Sequence, residues 1–510
     1  MLKIHSLPEN QEKSTLFDIK LNGIAVTAEF ARVSAMPFNT PWPGHQRDIS
    51  QTEESGFISF EGDEKVILEV TSAKEIETAL IRPLSKNIKV DIISKNTVRF
   101  ELAKVGNYVL EINGQHNPLH IFFNPVRDFA AEAKAEKESG RTVYYYGKGV
   151  HNIGDLEISS HTTVTVDAGA VVYGSISAFS ADDIKINGYG VLDGSLEIRT
   201  SKNLLLPLIR NTHENSIYFT ENKESFDAFM NETSCLKGLI RFYFSENISC
   251  EGVILRDCST FCVVPAACEN AVFDNIKTIG MWRYNSDGID VFNSSDIVIK
   301  NCFIRNFDDA IVIKGIIGWD FRSNENIVVD NCVIWCDWGA ACEIGAETNA
   351  PEYKNIAYRN CDIIHDSAGA MMRIHHHNYA DIHDISYENM HCEFCKDQMN
   401  SAIQRSDDEV YEYKPKTEQP ALLDVIIRGD VLYGRDAQKG KIHDISFNNI
   451  FIHADEEIAD MLNMHIYGYT EDCTVKNVEL KNFYINGKRV DDFSKLNMQI
   501  GKYAYDIKCK

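Results

Sequence analysis

One short pattern recurs along the second half of the chain and limits its fold more than any other feature. It runs Asn or Asp, apolar, any, apolar, any, Asn, apolar, any, apolar. It appears as DIVIKNCFI from Asp296, NIVVDNCVI from Asn326, NIAYRNCDI from Asn355, DISYENMHC from Asp384, DISFNNIFI from Asp444 and NVELKNFYI from Asn477. A weaker copy, NAVFDNIKT, starts at Asn270. The inner asparagines are Asn275, Asn301, Asn331, Asn360, Asn389, Asn449 and Asn482, at steps of 26, 30, 29, 29, 60 and 33 residues. Each copy alternates apolar and other residues with period two, the mark of a strand with one buried face. Strand-only repeats of this length stack as the coils of a solenoid. Asn suits the corners, because it tolerates the left-handed backbone of a sharp turn. Its amide can also bond from coil to coil. These asparagines are therefore assigned to structure.

The step of 60 is expected to hold two coils, one of them poorly matched within Lys396–Gly440, where LLDVIIRGDVLYG is strand-like. The solenoid begins earlier, in the Gly-broken strands from Thr142 to Ile176 and in DIKINGYGVLDGS after them. The fold class is all-β, with a parallel β-helix over residues 142–510. Residues 1–125 alternate without repeating and predict a separate β-sandwich. Residues 126–141 join the two; FAAEAKAEKESGR, from Phe129 to Arg141, predicts a short helix.

The chain carries 51 basic and 75 acidic residues, a net charge of −24. A field of that sign repels nucleic acid and anionic membranes, so neither is an expected partner. No stretch reaches the ~18 apolar residues of a membrane span. The first residues, MLKIHSLPENQEKSTLF, hold no apolar core of a secretion signal, which predicts a cytoplasmic protein. All 14 cysteines lie from Cys235 onward. Cys302, Cys332 and Cys361 share one slot of the repeat, as small interior hydrophobes would. Cys332 with Cys336, and Cys392 with Cys395, have near metal-like spacing, but no second ligand pair follows, so no metal or cofactor is assigned. A homo-oligomer is compatible with the sequence.

The chemistry concentrates in Asn285-Ser286-Asp287-Gly288-Ile289-Asp290, followed 21 residues after Asp287 by Asp308 and Asp309. On coils of about this length the two clusters fall on neighbouring coils, ~4.8 Å apart. Three carboxylates then converge on one face. Glycoside hydrolysis needs such a set: one acid to protonate the leaving oxygen and one carboxylate to activate water. Crowding keeps one of them protonated near neutral pH. The plainer alternative is a calcium site or a solvated turn.

NSDGID, the Asp308-Asp309 pair and MRIH resemble glycoside hydrolase family 28, the polygalacturonase family, whose motifs are Asn-Thr-Asp, Asp-Asp, Gly-His-Gly and Arg-Ile-Lys on a right-handed β-helix. GYGVLDG, from Gly188 to Gly194, is similar to the family's early Gly-x-Gly-x-x-Asp-Gly strand. The resemblance covers about residues 142–490. It implies that Asp308 is the general acid, that Asp287 and Asp309 activate water with inversion, that Arg373 binds substrate and that Asn285 positions Asp287. Two positions depart from the family. Its histidine aligns with Ala340, within Gly339-Ala340-Ala341, and its lysine with His375, which makes a neutral glycan a candidate substrate. The architecture is also similar to that of family 49 dextranases, which join an N-terminal sandwich to a β-helix.

Other residues are candidate carbohydrate contacts. His375 and His377 share a strand face and, with Glu343, suit sugar hydroxyls or a metal; Glu343 is otherwise a solvated carboxylate. Trp282 and Arg283 directly precede the catalytic turn, where an aromatic can stack on a sugar and Arg can reach hydroxyls; the alternative for Trp282 is the core. Trp42 and His45 lie in Pro37–Arg47, a stiff stretch expected either to reach over the groove or to pack at a domain interface. Two further functions stay open: a β-helix lyase or epimerase acting on uronates, revealed by unsaturated products and chelator sensitivity, and a non-catalytic glycan-binding solenoid, revealed by binding without turnover.

Overall fold

The computed structural model describes residues 2–35, 38–39, 49–199, 224, 236–315, 322–367, 369–395, 402–403, 421–429 and 439–510. Strands from Thr142–Tyr146 to Ala504–Cys509 join in one thirty-stranded sheet, in which the strands of successive coils pair in parallel; Lys488–Arg489 alone folds back antiparallel, on Val475–Ile485, among the described residues. The result is the right-handed parallel β-helix expected. Each regular coil contributes three strands. Strands such as Ser295–Lys300, Asn324–Asp330 and Glu352–Arg359 stack as the first face. Phe303–Asn306 and Val333–Cys336 belong to the second. Ile289–Phe292, Ile311–Gly315, Cys342–Thr348, Ala370–His376 and Ala421–Ile427 form the third. Alternate residues of all three faces enter one continuous apolar interior.

The repeat fixes the corners. The inner asparagines take left-handed backbone, from Asn331 at φ 52° to Asn301 at φ 57°. So do the motif's first residues, among them Asp296, Asn326 and Asn355. The side chains form ladders: Asn331 Nδ2 donates to Asn301 Oδ1 at 2.8 Å, and Asn389 Nδ2 to Asn360 Oδ1 at 3.2 Å. The step of 60 residues needs correction, because it holds one coil. Asn449 Nδ2 donates directly to Asn389 Oδ1 at 2.9 Å, and Asp381–Phe394 pairs with Lys441–Ala454 in continuous register. A chain can lengthen between strands at little entropic cost without disturbing the ladder. The first part of the strand-like stretch is a strand, Ala421–Ile427, but it continues the third face of this one coil instead of making a second; residues 430–434 lie outside the described residues.

The N-terminal strands, from Leu2–Ile4 to Leu119–Asn124, form one ten-stranded sheet. The two layers expected of a sandwich are parts of this single sheet, which curls about a common cluster that includes Ile19, Phe60, Val70, Phe100 and Leu110. The helix Phe129–Glu138 follows, capped by Asp128, whose side chain accepts from Ala131 N. The sheet domain packs on the second face of the solenoid. Phe57, Val109 and Phe122 meet Val191, Ile254, Phe303 and Trp335 there. Polar groups cross the same boundary: Arg82 pairs with Glu111 and Glu393, and His365 Nε2 lies 2.5 Å from Glu111 Oε1.

Thirteen cysteines lie among the described residues and all are free; most are buried. No helix among the described residues is long and apolar enough to cross a membrane.

Candidate active site

The carboxylates sit where the chain turns from the second face into the third. Gly288 N donates to Asp309 O at 2.9 Å, which locks one catalytic turn onto the next. Ile289 pairs with Ile311, so Asp287 and Asp309 occupy equivalent places on neighbouring coils. The coils approach so closely that side chains are excluded between them. A Cβ on Gly288 would fall 2.3 Å from Ala310 O, and one on Gly339, at φ +95°, would fall 2.5 Å from the Asp308 carbonyl carbon. Asp308 itself holds φ +153°, a region costly for a residue with a side chain.

One carboxylate oxygen from each of Asp287, Asp308 and Asp309 lies within 4.8 Å of the others. Lys314 Nζ binds into this group, 2.9 Å from Asp287 and 3.3 Å from both Asp290 and Asp309. The surroundings split the proton affinities. Burial pushes Asp308 well above its ordinary value, and the Asp287 and Asp309 charges reinforce it. Burial also raises Asp287 to about 6, with Lys314 opposing and Asp309 adding. Asp309 is also buried, yet the charges of Lys314 and Arg373 hold it below the usual range. Asp308 is thus driven toward its protonated form and Asp309 toward its charged form. Among the described residues this is the one group of acidic, His or Cys side chains close enough to hold a metal ion. The Lys314 ammonium already supplies a cation to two of its three members.

Around this centre the sequence expectations fall out unequally. Asn285 bonds elsewhere than expected. Its Nδ2 faces Asp308 Oδ2 at 3.4 Å rather than Asp287, because Arg199 Nη2 donates to its Oδ1 at 2.8 Å and fixes the amide. Glu343 is fully buried, not a solvated carboxylate, and accepts from Arg373 Nε at 2.8 Å. His375 and His377 do share a face, their Nε2 atoms 3.3 Å apart, and His375 Nδ1 lies 4.0 Å from Glu343. Trp282 is buried rather than open to a sugar; its Nε1 donates to Asp257 Oδ1 at 3.1 Å. Arg283 pairs with the same carboxylate at 3.2 Å. Trp42 and His45 lie outside the described residues. Of the stretch that holds them, Phe38–Asn39 is described, and it pairs with Ala402–Ile403.

A family model described as glycosyl hydrolases family 28 matches residues 155–421, just over half of the chain. The chain belongs to glycosyl hydrolases family 28. Among curated relatives, rhamnogalacturonase A of Emericella nidulans is 26% identical over 159 residues, which span 30% of this chain and 29% of the relative. Probable endopolygalacturonase D of the same organism is 26% identical over 109 residues, 21% of this chain and 19% of the relative. The matched stretches thus span less than a third of these relatives. Among solved structures, Dex49A from Penicillium minioluteum aligns over 100% of this chain and 96% of its own, with a TM-score of 0.57 and 13% identity. That likeness extends the shared fold to the N-terminal domain.

Family 28 membership sharpens two positions. Ala340 stands where the family motif has histidine, and what the site uses there is backbone: Ala340 N donates to Asp309 Oδ1 at 3.1 Å. Gly339, in the same motif, is required by the close coil contact. Lys314 and Arg199 went unnoticed in the sequence, and Asp290, seen within the acidic cluster, was given no role. Lys314 had a signal, a lone cation inside the apolar strand IVIKG. Arg199 had none, since it reaches Asn285 across 86 residues.

Proposed function

We propose that this family 28 protein is an inverting glycoside hydrolase whose general acid is Asp308 and whose attacking water is held and deprotonated by Asp287 and Asp309. The observation that carries this reading is the convergence of Asp287, Asp308 and Asp309 within 4.8 Å on neighbouring coils, with Asp308 pushed up and Asp309 held down in proton affinity. A general acid must hold its proton near neutral pH while its partner stays ionised. The oxygens stand closer than the ~6.5–9.5 Å usual between carboxyls of inverting enzymes. The water held by Asp287 and Asp309 must still reach the anomeric carbon from the face opposite the oxygen that Asp308 protonates. Inversion is general in family 28, and proton NMR of the first-formed anomer tests it here. The names of the relatives make pectin fragments the first substrates to try.

The decisive variant is Asp308→Asn. It is expected to lower kcat by about 10²–10⁴ while oligosaccharide binding persists. Turnover equal to wild type would remove the assignment.

A further inference from the structure

On the same face, the strands after the triad carry a cation whose recognition edge is spent inside the protein. Arg373 has 19% of its side chain exposed, so it reaches the outer surface of this face. Its Nε and Nη2 both contact Glu343 Oε1 at 2.8 Å. Those two nitrogens form the side-on edge with which a guanidinium grips a carboxylate in two parallel bonds. The remaining nitrogen, Nη1, lies against Gly369, where an added Cβ would stand 3.1 Å from it. Glu343 is fully buried and is aligned with Arg373 in the coil register, so it is a fixed part of the wall.

The same column continues with Asp424 and His465. His465 Nδ1 lies 2.7 Å from Asp424 Oδ1, and the Asp424 charge also acts on Arg373. Acidic and basic side chains alternate outward along the face, each in contact with its neighbour. Two residues after Arg373, His375 offers no compensating cation. Burial and the charges of Arg373 and Arg428 hold its imidazole neutral, and Arg428 Nε donates to its Nε2 at 2.9 Å. Lys314, the nearest cation on the other side, is spent on three aspartates.

We infer that Glu343 is a specificity-determining residue: it occupies on Arg373 the place a substrate carboxylate would take, and the sugar bound between Arg373 and His375 is a neutral one held through its hydroxyls. A uronate there would meet a guanidinium whose side-on edge is already bonded, the buried Glu343 side chain beside it and a neutral imidazole. A neutral ring meets single donors and acceptors of the kind that hydroxyls satisfy.

This inference rests on the hydrolase reading, and one panel separates the two. Oligogalacturonides, their carboxyl-reduced counterparts of equal length and mixed rhamnose–galacturonate fragments are offered to wild type, Glu343→Gln and Arg428→Ala, with product analysis locating the cleaved bond. Binding of the same panel to Asp308→Asn, measured by calorimetry, reads preference without turnover. The expected result is a neutral residue on one side of every cleaved bond, tighter binding of carboxyl-reduced than of uronate oligomers, and a rise of at least about tenfold in the uronate-to-neutral ratio of kcat/KM in Glu343→Gln. Should Glu343→Gln fail to fold, the wild-type ratio and the Asp308→Asn binding series decide alone. Wild-type preference for the uronate overturns the inference, and its loss in Arg428→Ala would move carboxylate recognition to that arginine. An unchanged ratio in folded Glu343→Gln overturns it too. Full activity of Asp308→Asn removes the hydrolase reading while leaving the binding comparison intact; a panel that is neither bound nor cleaved removes both.

Discussion

At the residue scale the proton affinities predict how activity follows pH. Asp287 must be ionised to take a proton from water, and burial holds it at about 6. As pH falls through about 6 it becomes protonated, and kcat/KM should fall with it. Asp308 must remain protonated, and its raised value keeps it so until well above the ordinary carboxyl range. A pH–rate profile checks this; an acidic limb near 4, the ordinary aspartate value, would take Asp287 out of water activation. The three aspartates were legible because their spacing matches one coil, and coil stacking turns sequence distance into spatial contact. The partners of Asn285 and Glu343 were not legible in the same way. Asn285 is aimed by Arg199, whose stretch lies outside the repeat. Glu343 is sealed by neighbouring coils, and no local pattern distinguishes a sealed carboxylate from a solvated one.

At the element scale the asparagine ladder makes two separable contributions. Asn331 supplies a left-handed corner and a bond to Asn301. Asn331→Gly keeps the corner and loses the bond, at a cost of about 1 kcal/mol. Asn331→Ala loses both, adding roughly 1–2 kcal/mol for left-handed backbone. Denaturant unfolding of the two variants should therefore rank Ala below Gly, and equal stabilities would deny the corner its role. The inner asparagines were readable from sequence because each recurs at one place in a two-residue period. The number of coils was misjudged at the step of 60 for a physical reason. A stacked ladder constrains strands and corners but leaves the length of chain between strands free, so counting residues cannot count coils there.

At the scale of the whole molecule the two domains share a buried boundary. Arg82 is nearly sealed between Glu111 and Glu393, and Glu111 also faces His365. Burial alone would raise Glu111; Arg82 and His365 bring it instead to about 2. Arg82→Met leaves two buried acids without their cation, a loss of about 3–5 kcal/mol. Limited proteolysis should then cut the connector near Phe129–Glu138 faster than in wild type, and an unchanged rate would show that the apolar contacts around Phe122 and Trp335 hold the domains unaided. None of this boundary was visible in the sequence. Its residues come from unrelated stretches, and only the second solenoid face, itself unremarkable in pattern, brings them together.

The buried thiols give the solenoid a built-in record of its own opening. Cys302, Cys332, Cys361 and Cys392 lie in the interior of separate coils, and burial keeps the Cys332 and Cys392 thiols protonated and inert. An alkylating reagent reaches each one only when its coil separates from its neighbours. Because repeat proteins lose structure unit by unit rather than all at once, the order in which these cysteines are modified is the order in which the stack comes apart.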